Sequence, residues 1–190
     1  MPQQKNSMIE IRWHGRGGQG AVTSAELVAL AAIAEGKNAR AFPSFGPERR
    51  GAPVLAFNRV SSGDPIRTRA EIAKPDVVVV LDPGLLSIVD VAAGLKEDGV
   101  LIANTKKSPA ELKALLHLKQ RVATVDATSI ARELLGVTIV NTTMVGALIR
   151  AAGVVDMKSL QEPLKHRFGH LADRNANAMK EAFQKTVIEE

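Results

Sequence analysis

The strongest constraint lies near the start of the chain, where an alternating pattern runs straight into six residues that include four glycines. Residues 8–13 set Ile9 and Ile11 against Glu10 and Arg12, the period of a half-buried strand. Gly15-Arg16-Gly17-Gly18-Gln19-Gly20 follows at once. Residues 21–34 are then alanine-rich and almost wholly apolar, and Gly36 stands where a helix is expected to stop. A strand, a glycine turn and a buried helix in that order fit G-x-G-x-x-G in its proper context. Glycine permits positive φ and close backbone approach, while a helix N-terminus presents unpaired N–H groups and the positive end of its dipole. The unit therefore offers a seat for a phosphate or pyrophosphate. The competing reading is a tight turn that only packs helix on strand, for which four glycines are more than is needed.

The rest of the chain continues the alternation. Residues 38–42 read as a short second strand. Residues 43–53 are rich in Pro, Gly and Arg and exclude regular structure. Residues 54–60 read as a strand, with 66–69 as its partner across a turn at 61–65. The valine-rich run 77–81 has the composition of a central parallel strand buried on both faces, and it ends in Asp82-Pro83-Gly84. Residues 99–103 and 121–125 are further strands. Helices are expected at 108–118, with Pro109 in the first turn, and at 126–135, with Asp126 as N-cap. Three closing helices are expected at 141–152, 158–168 and 172–188. The fold class is α/β: a single-domain open, mostly parallel sheet with a Rossmann-like glycine loop and helices on both faces. One domain is expected over residues 1–190, with 1–7 as a disordered tail. Ligands of such sheets lie at the C-terminal strand ends, beside a topological switch point.

Composition narrows the chemistry. The chain contains no cysteine, so it cannot supply cysteine ligands to an iron–sulfur cluster or a thiolate zinc site. Its longest apolar run is far short of a membrane span, and residues 1–7 lack the apolar core of a signal peptide, so cytoplasmic residence is the expectation. A formal charge of +5 favours anionic partners, either phosphorylated cofactors or acidic protein faces. The absence of tyrosine and of any lysine-rich tract argues against nucleic acid. No nucleophile elbow or Walker lysine is present. His166 and His170 are spaced for one helical face, but Gly169 intervenes and no carboxylate cluster accompanies them. His14 abuts the glycine loop, where it either meets a ligand or packs.

For a dinucleotide, the fingerprint wants an acid about 20 residues on to hold the ribose. That stretch reads Arg40-Ala41-Phe42-Pro43-Ser44, with arginine and no acid, which fits NADP or another phosphorylated adenosine ligand better than NAD and leaves a stand-alone NADP-dependent oxidoreductase as one alternative. A non-catalytic interaction module is another. Arg49 and Arg50, in the loop Pro47-Glu48-Arg49-Arg50-Gly51-Ala52-Pro53, form either a phosphate clamp or solvated charges paired with Glu48. Phe42 and Phe45 beside them serve an interface or fold back into the core.

Taken together, Gly15-Arg16-Gly17-Gly18-Gln19-Gly20 and Ser44-Phe45-Gly46-Pro47-Glu48-Arg49-Arg50-Gly51-Ala52-Pro53 resemble the two signatures of the gamma subunit of 2-oxoacid:ferredoxin oxidoreductases. The resemblance runs from about residue 8 to about residue 183. It implies a subunit of an enzyme that converts a 2-oxoacid and coenzyme A to acyl-CoA and carbon dioxide and passes electrons to ferredoxin. It further implies that Gly15, Arg16, Gly17, Gly18, Gln19 and Gly20, with Arg49, Arg50 and Asn141, help to hold coenzyme A. Thiamine diphosphate, Mg2+ and iron–sulfur clusters are then expected on the partner alpha, beta and delta subunits. The signatures look more like the pyruvate and branched-chain or aryl-oxoacid branches than the 2-oxoglutarate branch.

Overall fold

The computed structural model describes residues 8–44 and 51–189. The expected tail at 1–7 and the arginines Arg49 and Arg50 lie outside the described residues. One seven-stranded sheet organises the chain, in the order β2-β3-β1-β4-β5-β6-β7. Its middle is parallel: β1 (Met8–Arg16), β4 (Val77–Val80), β5 (Val100–Asn104) and β6 (Arg121–Val125) pair side by side in one direction. Antiparallel strands flank that middle. On one side β3 (Pro53–Ser61) pairs with β1 and then with β2 (Asn38–Pro43); on the other β7 (Val187–Glu189) pairs with β6.

The chain leaves β1 through α1 (Ala21–Ala34) to the β2–β3 side, then crosses to β4 on the other side. The switch point is therefore the C-terminal end of β1, where the glycine turn sits. Helices cover both faces unequally. One face carries α1, α3 (Ala127–Leu135), α4 (Asn141–Ala152), α5 (Gln161–Phe168) and α6 (Ala172–Lys185) over a core that includes Ile11, Trp13, Val79 and Ile102. The other carries the short α2 (Pro109–Leu115) and a 3-10 turn (Pro83–Ser87) over Val78, Val80, Leu101 and Ala103. Alternation along the strands divides the two cores.

Trp13 shows how α1 is anchored. Its indole Nε1 donates to Asn58 Oδ1 (2.8 Å), and Asn58 Nδ2 donates to Ala25 O of α1 (2.7 Å). All three residues are fully buried, so this polar chain joins β1, β3 and α1 where water cannot compete.

Three expectations are corrected. Residues 66–69 form no strand; this stretch is loop, and the chain just beyond it is held by arginines instead, Arg59 Nη1 donating to Ala70 O (2.8 Å) and Arg12 Nη1 to Ile72 O (3.4 Å). The last helix ends at Lys185 and not at 188, because Val187-Ile188-Glu189, with two β-branched residues, pairs with the open edge of β6. The expected helix over 158–168 begins as a 3-10 turn (Met157–Leu160) before α5. Phe42 belongs to the core, 3% exposed and stacked on Phe57 with ring centroids 5.3 Å apart. Among the described residues no helix is long and apolar enough to cross a membrane.

Candidate functional site

Strand β1 does not stop at the first glycine of the motif. Its ladder with β3 continues through His14↔Leu55, Gly15↔Val54 and Arg16↔Pro53. Beyond the last rung Gly17 N–H donates to Ala52 O (3.0 Å) and Gly51 N–H to Gly17 O (3.4 Å). The turn then closes on itself: Gln19 N–H donates to Arg16 O (3.0 Å), and Arg16 N–H donates to Gln19 Oε1 (2.8 Å). The other end of the Gln19 amide donates to Asp82 Oδ2 (2.6 Å), and Arg16 Nε lies 3.3 Å from the same oxygen. Asp82 Oδ1 meanwhile accepts from Gly84 N–H (2.8 Å), capping the 3-10 turn after β4. Asp82 thus ties the glycine turn to the C-terminal end of the adjacent parallel strand.

Gly20 takes the N-cap position of α1 at φ 81°, ψ 29°, a left-handed conformation that disfavours any L side chain. Space forbids one as well, since an added Cβ would stand 2.7 Å from Asn141 Nδ2. No side chain caps α1, and its first turn carries no acidic residue. The first-turn N–H groups and the positive dipole end are thereby left for an external anion.

These groups open on a cleft of about 660 Å³. Gly17, Gly18, Gly20, Ala21, Val22 and Thr23 form one wall, with Arg16 at its edge. The rest of the lining is a largely apolar limb of Pro53, Val54, Leu55, Leu85 and Val89, with Ser44 and His14 among them. A polyanionic head at the helix end and an extended, weakly polar arm along the apolar limb would both be accommodated. His14 is 4% exposed, and its Nε2 accepts from Arg12 Nε (3.1 Å). Burial and then the Arg12 charge push the imidazole down from 6.5 to about 4, so it is neutral at physiological pH. Arg12 is itself fixed by carbonyls, its Nη2 donating to Val91 O (3.1 Å) and Ala93 O (2.6 Å).

Comparison with known proteins now decides the family. Residues 10–185 match the family model for pyruvate ferredoxin/flavodoxin oxidoreductase. The chain belongs to that family. It is 56% identical over 185 residues to the pyruvate/ketoisovalerate oxidoreductases common subunit gamma of Thermococcus kodakarensis, covering 96% of this chain and 100% of that one. It is 52% identical to the pyruvate synthase subunit PorC of Methanothermobacter marburgensis, covering 94% of this chain and 97% of that one. The crystal structure of the pyruvate oxidoreductase subunit PORC of Thermotoga maritima superposes with a TM-score of 0.86 at 37% identity, over 96% of this chain and 99% of that one. The gamma-subunit resemblance read from the two signatures is thus the correct one, and this pyruvate ferredoxin/flavodoxin oxidoreductase chain is one subunit of an enzyme complex.

Within this family member the expected site residues divide. Arg16, Gly17, Gly18 and Gly20 line the cleft; Gln19 instead braces the turn from behind through Arg16 and Asp82. Gly15 is still within strand β1, one residue before its end, with Ala21 Cβ where its own Cβ would crowd. Asn141 is buried at the start of α4, under Gly20, and is not among the cleft's described lining. Its carbonyl accepts from Ser24 Oγ (3.2 Å) and its Oδ1 from Thr142 N–H (2.8 Å), so it supports the turn by contact. Arg40 lies on β2 opposite Arg59 and is not in the cleft's described lining. His166 and His170 are exposed, and no group of three or more potential metal ligands occurs among the described residues. The reading of residues missed Asp82 as a brace, which acts from the end of the neighbouring strand, and Arg12 as the partner of His14, which the period-2 spacing along β1 places on the same face.

Proposed function

We propose that this chain serves as the gamma subunit of a complex that oxidatively decarboxylates pyruvate, with a branched-chain 2-oxoacid such as ketoisovalerate as a second substrate, and that its cleft holds part of coenzyme A. The observation that carries this reading is the uncapped N-terminus of α1 opening, with Arg16, on a cleft whose other limb is apolar. Coenzyme A has matching parts: a pyrophosphate and a ribose 3′-phosphate for the helix end, and a pantetheine arm for the apolar limb. Arg49 and Arg50, next to Gly51 in sequence, supply further positive charge for the phosphates. The chain has no cysteine, consistent with iron–sulfur clusters, thiamine diphosphate and Mg2+ being carried by alpha, beta and delta subunits in the cytoplasm, which pass electrons to ferredoxin. A partner has surface to bind: Leu30 and Ile33 of α1 are 49% and 54% exposed beside Ala39 and Ala41 of β2.

Within the complex this chain binds and orients the coenzyme; the redox chemistry belongs to groups on other chains. The test is purification of the complex from its own host through a tag on this chain, followed by 2-oxoacid-dependent viologen reduction with and without coenzyme A. Co-purifying cysteine-rich and thiamine-binding chains with coenzyme A-dependent activity are expected. Val22→Asp sharpens the test. A carboxylate in the first turn favours the helix by about 0.3–1 kcal/mol but repels a phosphate placed there. The Michaelis constant for coenzyme A should rise at least tenfold in assembled complex, and an unchanged value removes the helix end from the site.

A further inference from the structure

The glycine wall has an evident task, but the opposite limb contains a polar group that the anion reading does not use. His14 points away from α1, since Trp13 faces the α1 core and side chains alternate along β1. It lies on the apolar limb, with Leu55, Leu85 and Val89 around it and the helix end across the cleft. Arg12 Nε can only donate, so the imidazole atom it meets at 3.1 Å must be the unprotonated one. That is Nε2, which leaves the proton of the neutral ring on Nδ1. Among the described residues no group accepts from Nδ1, yet Nδ1 is not among their sealed, unpartnered side-chain atoms, of which Thr143 Oγ1 is one. A residue 96% buried therefore offers one unsatisfied N–H to the cleft (relative exposure 4%).

We infer that His14 Nδ1–H is the hydrogen-bond donor for an uncharged oxygen of the ligand, an amide carbonyl of its pantetheine arm, and that Arg12 is the positioning residue that fixes the tautomer. This rests on the coenzyme A reading of the cleft and says which part of the coenzyme lies on which limb. An uncharged donor among aliphatic side chains matches a neutral acceptor; the charged oxygens belong opposite, at the helix end and Arg16.

The experiment uses the assembled complex purified from its host, carrying His14→Met or His14→Asn, with Michaelis constants measured for coenzyme A and for dephospho-coenzyme A. Loss of one neutral hydrogen bond predicts about a five- to tenfold higher Michaelis constant for coenzyme A in His14→Met at unchanged kcat. The Asn amide places an N–H near the former Nδ1 and should restore most of the loss. The ratio between the two coenzymes should stay as in the parent complex, because the donor does not touch the 3′-phosphate. If His14→Met does not assemble, His14→Gln carries the same test, since its Oε1 can still accept from Arg12 while no donor lies where Nδ1 was. Unchanged Michaelis constants in the Met or Gln variant would overturn the inference, as would a ratio that collapses toward one. Those outcomes, with Val22→Asp still raising the Michaelis constant, leave the coenzyme A reading standing; if Val22→Asp is inert too, that reading falls with the inference.

Discussion

Replacing Gly20 by alanine isolates what the glycine turn requires. At φ 81° an L residue costs about 1–2 kcal/mol for the left-handed backbone alone. The new Cβ would also stand 2.7 Å from Asn141 Nδ2, 3.0 Å from its Cβ and 3.2 Å from its Cγ. Asn141 cannot swing clear, because it is 7% exposed and its amide and carbonyl oxygens are both bonded. Overpacking of that kind adds about 1–3 kcal/mol, for a total of roughly 2–5 kcal/mol. Gly18 is the control, since its φ is 95° but nothing lies within 4 Å of its added Cβ. Gly18→Ala therefore carries only the backbone penalty. In a chain of this size each kcal/mol shifts Tm by about 2–4 °C. Circular dichroism melts of the full-length chain should show Gly20→Ala lowered by about 4–20 °C and Gly18→Ala by about 2–8 °C. Adding Asn141→Ala to Gly20→Ala should reveal a coupling of about 1 kcal/mol or more, as neighbours in contact do. Equal melting points for the two glycine variants, with strictly additive double-variant behaviour, would refute the packing of Asn141 beneath the turn.

Three further perturbations follow from the geometry. Trp13→Phe strips the donor from Asn58 Oδ1 in a fully buried chain, so denaturant titration should report a loss of about 2–4 kcal/mol, and Asn58→Leu in the same background should recover part of it. For His14, the folded value of about 4 lies below the ordinary 6.5, so the unfolded chain binds the extra proton first. Stability from this group is complete above pH 6.5 and is lost as pH falls toward 4, by up to about 3 kcal/mol; pH-dependent unfolding of His14→Asn should lack that slope, and identical slopes would contradict it. Asp82→Ala removes the acceptor shared by Gln19 and Arg16, and should cost about 1–3 kcal/mol in unfolding free energy while raising the Michaelis constant for coenzyme A in the complex; Asp82→Asn, which keeps an acceptor for Gly84 N–H, should cost less on both measures.

How much of this was legible in the chain depends on the range of the interaction involved. Helices α1 and α4 begin and end where their sequence patterns say, because a long apolar run and, for α1, the stop at Gly36 are local signals. Val77 to Val80 declared itself a buried central strand for the same reason. What escaped was long-range. The continuation of β1 through Gly15 and Arg16 depends on β3, some 40 residues away, supplying a ladder that overrides the glycines. The strand at Val187–Glu189 exists because β6 has a free edge there. At the site, the glycine wall followed from the motif, whereas Asn141 as an underlay and Asp82 as a brace follow from which elements are neighbours in space; Arg12 as the holder of His14 is the exception, a same-face pair on β1 that strand alternation could have shown. The expected second strand pair at 66–69 failed on the same account, since β3 already has partners on both sides in β1 and β2.

The rungs that join Gly17 to Ala52 and Gly51 give the two sequence signatures a mechanical relation. They lie some 30 residues apart along the chain, yet they meet at one end of a shared zipper, in its last rungs among the described residues. Fraying starts at such an end, so Gly17 and the 51–53 segment should open and close in concert, and clamping either one slows both. A molecule gripped by the glycine turn would therefore be sensed on the far strand without any further contact, as tension in a shared last stitch.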